Sequence, residues 1–156
     1  MLELKEEAVH AFSLGKDVFV VLPTGYGKSV IYAILPLLHD NLFGRLFYSM
    51  YVVLKIFHDH TGSTGSIAVV VSPLIALMVD QKQNFMHKGI TVEFVGDAQD
   101  SEVAIKSVLR GDVQLVYISP ESILKNKKFR SMLQNSKYQE KLVALVVDEA
   151  HCVQMW

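Results

Sequence analysis

A single cysteine, Cys152, is all this chain carries, so no internal disulfide can hold it together. A reducing interior is the default compartment for such a chain. An excess of one charge is also lacking: 15 Lys and Arg stand against 16 Asp and Glu, a formal charge of −1. That balance excludes a protein that grips nucleic acid by bulk charge, and any such contact must be local, through amides, hydroxyls and a few lysines. The opening residues, Met1-Leu2-Glu3-Leu4-Lys5-Glu6-Glu7, are acidic and make no secretory signal. A clean membrane span is missing too. The most apolar stretch, Leu42 to Phe57, is interrupted by Arg45 and Lys55 and falls short of the roughly 20 apolar residues a span needs. Phe43, Phe47, Met50, Leu54 and Phe57 recur there at helical spacing, which reads as an amphipathic surface helix or partner-binding patch.

What is present points to one packed domain. With 156 residues, 51% hydrophobic and 20% charged, the chain has the length and composition of a single globular core. Apolar β-branched runs alternate with helical stretches. Strands are expected at Val18–Leu22, Ile67–Ser72, Thr91–Val95, Gln114–Ile118 and Leu142–Val147, rich enough in Val and Ile to be covered on both faces. Helices are expected at Leu4–Leu14, Lys28–His39, Leu74–His87 and Ser101–Leu109, with a shorter one after Pro120. Alternation of this kind gives an α/β fold with a mainly parallel sheet flanked by helices in three layers. Asp59 to Ser66 is small and polar and reads as a loop.

Two segments carry chemistry. Pro23-Thr24-Gly25-Tyr26-Gly27-Lys28-Ser29 follows an apolar run and precedes a helical one. Gly25 and Gly27 allow a tight turn whose amides face an anion. Lys28 adds a mobile positive charge for β- and γ-phosphates, and Ser29 a hydroxyl for Mg²⁺. Leu22 stands where the commonest spelling of such a loop has a glycine. The second segment, Asp148-Glu149-Ala150-His151, closes a buried strand. A carboxylate at Asp148 is costly there without a partner, and Mg²⁺ is the obvious one. Glu149 is placed to polarise an attacking water, and His151 to bond to a group that senses the phosphate.

Pro23–Ser29 and Asp148–His151 resemble motifs I and II of superfamily-two helicases. Val71-Ser72-Pro73-Leu74-Ile75-Ala76-Leu77-Met78-Val79-Asp80-Gln81 is similar to motif Ia of the RecQ-type DNA helicases. Tyr117-Ile118-Ser119-Pro120-Glu121 resembles that family's strand-end motif between Ia and II, and Asp148 to Val153 followed by Trp156 its motif II running into an aromatic loop. The resemblance covers nearly the whole chain. It implies a RecA-like domain that hydrolyses ATP with Mg²⁺ and moves 3′-to-5′ on single-stranded DNA, acting at DNA duplex junctions, with no membrane role and a nuclear location if the source is eukaryotic. It implies nucleotide contacts from Pro23 to Ser29, Mg²⁺ at Ser29 and Asp148, and catalytic roles for Lys28, Asp148, Glu149 and His151. It implies DNA contacts by Ser72, Pro73, Gln81, Ser119, Pro120 and Trp156. Both Ser-Pro pairs also suit helix capping, which is compatible with such contact.

Three departures qualify the likeness. Lys5 aligns with the family's adenine-reading glutamine. Residues 41–65 form an atypical insertion. The chain, read as one ATP-binding domain over 1–156, ends before the second motor domain, where the arginine that completes hydrolysis lies. An RNA helicase motor and an inactive nucleotide-binding fragment are the alternatives, while no Asn-Lys-x-Asp guanine reader is present. His58-Asp59-His60 reads as solvated, Cys152 as a packing residue, and Lys125 to Arg130 as a solvated helix start.

Overall fold

The computed structural model describes residues 2–23, 25–42, 65–96 and 101–150. Thr24, the insertion from 43 to 64 with its histidines and most of its apolar run, and His151 to Trp156 lie outside the described residues. At the centre are four parallel strands, β1 (Ile67–Val71), β2 (Val92–Val95), β3 (Leu115–Ile118) and β4 (Leu142–Val147). Their order in the sheet is β2-β3-β1-β4. The helices are α1 (Leu2–Ser13), α2 (Lys28–Ala33), α3 (Leu35–Leu42), α4 (Ile75–Met86), α5 (Glu102–Arg110), α6 (Pro120–Lys125), α7 (Lys127–Gln134) and α8 (Ser136–Lys141). Among the described residues none is long and apolar enough to cross a membrane.

Alternation along the strands builds the three layers. Ala68 and Val70 of β1 pack with Leu115 and Tyr117 of β3 on one face, under Val9, Ala33, Leu37, Met78 and Phe85 from α1 to α4. Ile67, Val69 and Val71 pack with Val116 and Ile118 on the other, under Val108, Phe129, Met132 and Tyr138 from α5, α7 and α8. Burying each such aliphatic side chain contributes about 1.5–3 kcal/mol. Because both faces are covered, strand sequences of this kind read as unbroken apolar runs.

The strands also end level. Val71 pairs with Ile118 and with Val147, and Ile118 with Val95. The next residues, Gly96, Ser119, Ser72 and Asp148, therefore form one row at the carboxyl edge of the sheet, where open parallel sheets place their ligand sites. Three backbone bonds fix the row: Ser72 N–H to Ile118 O at 3.0 Å, Ser119 N–H to Val95 O at 3.3 Å and Asp148 N–H to Val71 O at 2.9 Å.

Four of the five expected strands form, and the fifth does not. Val18–Leu22 is extended but joins no ladder. Its neighbour across a cleft of about 520 Å³ is the outer edge of β4. A ladder requires backbones roughly 4.8 Å apart, and among the described residues none forms between these two segments. Phe19 and Val21 are consequently 82% and 79% exposed, and Leu145 is 58% exposed. The helix expected over Lys28–His39 forms as two, α2 and α3. Pro36 lacks the N–H an unbroken helix needs, and its ring crowds the carbonyl four residues back. Helix α7 takes in Lys127 to Arg130 of the basic run read as a helix start, while α8 was not expected. Each begins at an asparagine whose side chain accepts a backbone N–H: Asn126 from Lys128 at 2.9 Å and Asn135 from Tyr138 at 3.2 Å.

Hydrogen bonds join the two ends of the insertion. The Ser66 hydroxyl donates to the Asp40 carboxylate, the Ser66 N–H reaches the same carboxylate at 3.4 Å, and His39 Nδ1 lies 2.9 Å from Ser66 Oγ. The chain thus leaves and rejoins the core at one closed neck. Replacing residues 43–64 by a Gly-Ser linker of about six residues is expected to shift the melting temperature by no more than about 3 °C, because closure entropy changes slowly with loop length. A loss of cooperative melting in that variant would show that the segment is part of the core.

Candidate functional site

Strand β4 delivers the acidic pair to the rim. Beyond the ladder bond of Asp148, the Asp148 carboxylate turns back and accepts the Glu149 N–H at 3.1 Å. Glu149 then takes φ of +52°. That left-handed conformation costs a side-chain-bearing residue roughly 1–3 kcal/mol, and such strain collects at functional sites. Burial raises the Asp148 carboxyl above its ordinary value of 3.8; the Glu149 N–H opposes that, the Glu149 charge reinforces it, and Lys28 opposes it. A half-buried carboxylate with its charged form disfavoured is a group prepared for a cation.

The loop before α2 supplies the other half. Gly25 and Gly27 have φ of +84° and +72°, which only glycine adopts freely. The turn is pinned by Tyr26 N–H to Pro23 O and by Val30 N–H to Gly27 O, both at 3.3 Å. Lys28 Nζ donates to Leu22 O at 3.0 Å, so its ammonium spans the base of the loop. The side chains of Ser29 and Tyr32 are hydrogen-bonded. Tyr117 OH donates to Tyr32 OH at 3.4 Å, with the two rings nearly perpendicular at 81° and 6.2 Å apart. Burial, then the nearby Asp148 charge, holds the Tyr32 phenol well above the usual tyrosine range. This buried pair fixes the last turn of α2 to the sheet.

The two halves meet. A recess of about 270 Å³ is lined by Gly25, Gly27, Lys28 and Ser29 of the loop, by Asp148 and Glu149, and by Gln81, Asn84 and Lys88 of α4 and its C-terminal turn. Lys28, Asp148 and Glu149 also border the larger cleft beside Val18–Leu22. Among the described residues no three His, Cys, Asp or Glu side chains cluster as metal ligands. The donors at the rim are two carboxylates and the Ser29 hydroxyl. That set is too sparse for a metal held by protein alone. It suits Mg²⁺, which keeps several waters and takes one or two carboxylates plus substrate phosphates. The residues present therefore fit a magnesium triphosphate.

The remaining expected residues divide. Pro23 and Tyr26 are exposed at the loop, while Thr24, His151 and Trp156 lie outside the described residues. Ser119 caps α6, accepting the Ser122 N–H at 3.2 Å, with Pro120 in the first turn. Ser72 does not cap α4, which starts after Leu74 with no side-chain cap, and among the described residues Ser72 Oγ is buried without a hydrogen-bond partner. Gln81, expected among the nucleic-acid contacts, lines the recess with the glycine loop, and its Oε1 is buried without a partner among the described residues.

Asn84 escaped sequence reasoning, while Lys5, singled out only at the adenine-reading position, lies against the glycine loop. Asn84 follows Leu77 and Gln81 at spacings of four and three, a helical face that periodicity alone could have shown. Lys5 of α1 brings its ammonium to 3.1 Å from the point where a β-carbon would stand on Gly27.

Comparison with known proteins agrees with this geometry. Residues 3–156 match the family model of the DEAD/DEAH box helicases. The ATP-dependent helicase SGS1 of Saccharomyces cerevisiae is 36% identical over 153 residues, 96% of this chain and 9% of that protein. The ATP-dependent DNA helicase RecQ of Haemophilus influenzae is 30% identical over 155 residues, 97% of this chain and 20% of that one. The ATP-dependent DNA helicase Q1 of Rattus norvegicus is 30% identical over 159 residues, 98% of this chain and 21% of that one. The chain thus spans between 9% and 21% of the length of these relatives. In fold it is similar to the Mycobacterium smegmatis helicase Lhr, solved bound to ssDNA and AMP-PNP, with a TM-score of 0.57 and 21% identity over 96% of this chain and 18% of that one. With its phosphate loop and acidic pair at one rim of a parallel sheet, the chain belongs to the DEAD/DEAH box helicases, and its relatives there are helicases of the RecQ family.

Proposed function

We propose that this chain is the ATP-binding motor domain of a RecQ-like DNA helicase that moves 3′-to-5′ when complete. The observation that carries the reading is the convergence of Lys28, Ser29, Asp148 and Glu149 on one recess. Lys28 leaves the Leu22 carbonyl to meet the β- and γ-phosphates. The Ser29 hydroxyl and the Asp148 carboxylate hold Mg²⁺, which when bound neutralises charge developing on the phosphates. Glu149 orients the attacking water and accepts its proton. His151 follows as the residue that links this site to the rest of the motor.

Single-stranded DNA runs along the rim by Ser72-Pro73 and Ser119-Pro120. The Ser72 and Ser119 side chains are buried, their N–H groups are engaged by Ile118 and Val95 and the two prolines have none, so these contacts are made by neighbouring groups at the rim rather than by the Ser-Pro pairs' own donors. Efficient hydrolysis requires an arginine from a second motor domain, worth several powers of ten in rate, and translocation requires two domains closing on the nucleotide. The chain alone is therefore expected to bind Mg-ATP and to turn it over slowly, while a protein extended by the second domain hydrolyses ATP faster with single-stranded DNA. Measuring the ATPase rate of both forms with DNA, with RNA and with neither tests this. Stimulation by RNA and not by DNA identifies an RNA motor instead. No nucleotide binding by either form refutes the proposal outright.

A further inference from the structure

Lys5 lies in the first half of α1, half-buried, with its ammonium against the phosphate loop at Gly27. Lys28, the next residue in the chain after Gly27, brings a second ammonium to the same turn. Among the described residues, Lys5 enters none of the ion pairs. Two ammonium groups thus border one glycine turn, and a polyphosphate is an anion long enough to meet both.

An ammonium is also the wrong group for reading a purine. Adenine is recognised by a side chain that donates and accepts together, as a carboxamide does. Lysine offers three donors and no acceptor. A base edge therefore gains little discrimination from Lys5, whereas any phosphate oxygen accepts from it.

We propose that Lys5 is a second phosphate-binding cation, which with Lys28 grips the polyphosphate tail, so that this site selects its ligand by phosphate number rather than by base. The proposal rests on the reading that a triphosphate binds at the loop ending at Ser29. It adds a specificity: triphosphates of adenosine and guanosine bind alike, and monophosphates bind poorly.

Calorimetric titration with ATP, GTP, AMP and inorganic tripolyphosphate tests it, on the wild-type chain and on Lys5→Ala, Lys5→Gln, Lys5→Arg and Lys28→Ala, each checked by thermal melting. Wild-type affinities for ATP, GTP and tripolyphosphate are expected within about threefold of one another, because the shared tail supplies the contacts. Lys5→Ala and Lys5→Gln are expected to weaken all three by about tenfold, with Lys5→Arg restoring most of the loss. A wild-type preference for ATP over GTP of about tenfold or more overturns the proposal. So does unchanged tripolyphosphate affinity in Lys5→Ala when Lys28→Ala binds it weakly; in that case the loop keeps its assignment and only Lys5 loses its role. Unchanged tripolyphosphate binding in both Lys28→Ala and Lys5→Ala removes the phosphate loop assignment itself.

Discussion

Lys28→Ala is expected to lower the affinity of this chain for ATP by roughly a hundredfold or more, with the melting temperature of the free protein changed by about 2 °C at most. The first figure follows from what the ammonium meets. Hydrogen bonds to charged groups contribute about 1.5–3 kcal/mol each, and a lysine between the β- and γ-phosphates makes more than one. The second follows from what the ammonium touches without nucleotide. Among the described residues its hydrogen bond is to the Leu22 carbonyl, at 3.0 Å, on a segment with exposed neighbours that water reaches after truncation. Binding and folding should therefore separate cleanly. Titration of the variant with a fluorescent ATP analogue, beside its melting curve, reads both. Unaltered affinity with unaltered melting would remove the loop from the site.

Asp148→Asn should move the two properties in opposite directions. The wild-type carboxyl is half-buried and held above its usual range, by burial first. An amide of the same shape removes that desolvated charge and can still accept the Glu149 N–H through its oxygen. We expect the free variant to melt roughly 2–4 °C higher than wild type at neutral pH. Mg²⁺ should lose its hold at the same time: the Mg²⁺-dependent gain in ATP affinity is expected to fall by about tenfold or more, since a neutral amide oxygen replaces one of the carboxylates such a site relies on. The pH dependence has a definite sign. A carboxyl whose folded pKa lies above its unfolded one takes up its proton first in the folded state, so it favours folding at low pH and disfavours it as pH rises between the two values. Without Mg²⁺, wild-type stability should decline through the window just above 3.8, relative to a flatter Asp148→Asn profile. A variant that melts lower than wild type at every pH would show that the carboxylate supports the free fold instead.

Much of this architecture was legible in the chain because its signals are local. The runs around Val69, Val116 and Leu145 are long, β-branched and bounded by turn residues, so four strands could be placed within a residue or two. Ser101 and Gly111 bracket α5 as a side-chain cap and a left-handed stop. Val18–Leu22 carries the same composition yet forms no ladder, because pairing depends on a neighbour's distance, which no local pattern encodes. The basic run from Lys125 to Arg130 marked the start of α7, while α8 was missed although Asn135 is an ordinary cap. At the site, the loop and the acidic pair were readable from residue type and spacing. Asn84 was not, since α4 brings it there only by packing across the fold, and Lys5 was placed by alignment but not beside the glycine loop, where α1 carries it.

The unmatched edge of β4 bears on how the molecule behaves in company. Among the described residues, Leu145 and Val147 on that edge, and Phe19 and Val21 across the cleft, present greasy side chains beside backbone donors and acceptors outside any ladder. Bare strand margins recruit further strands, and without lysine or proline gatekeepers they do so indiscriminately. Concentrated stocks of this polypeptide should therefore clump along one directional seam, and a lysine grafted at Leu145 should keep them clear.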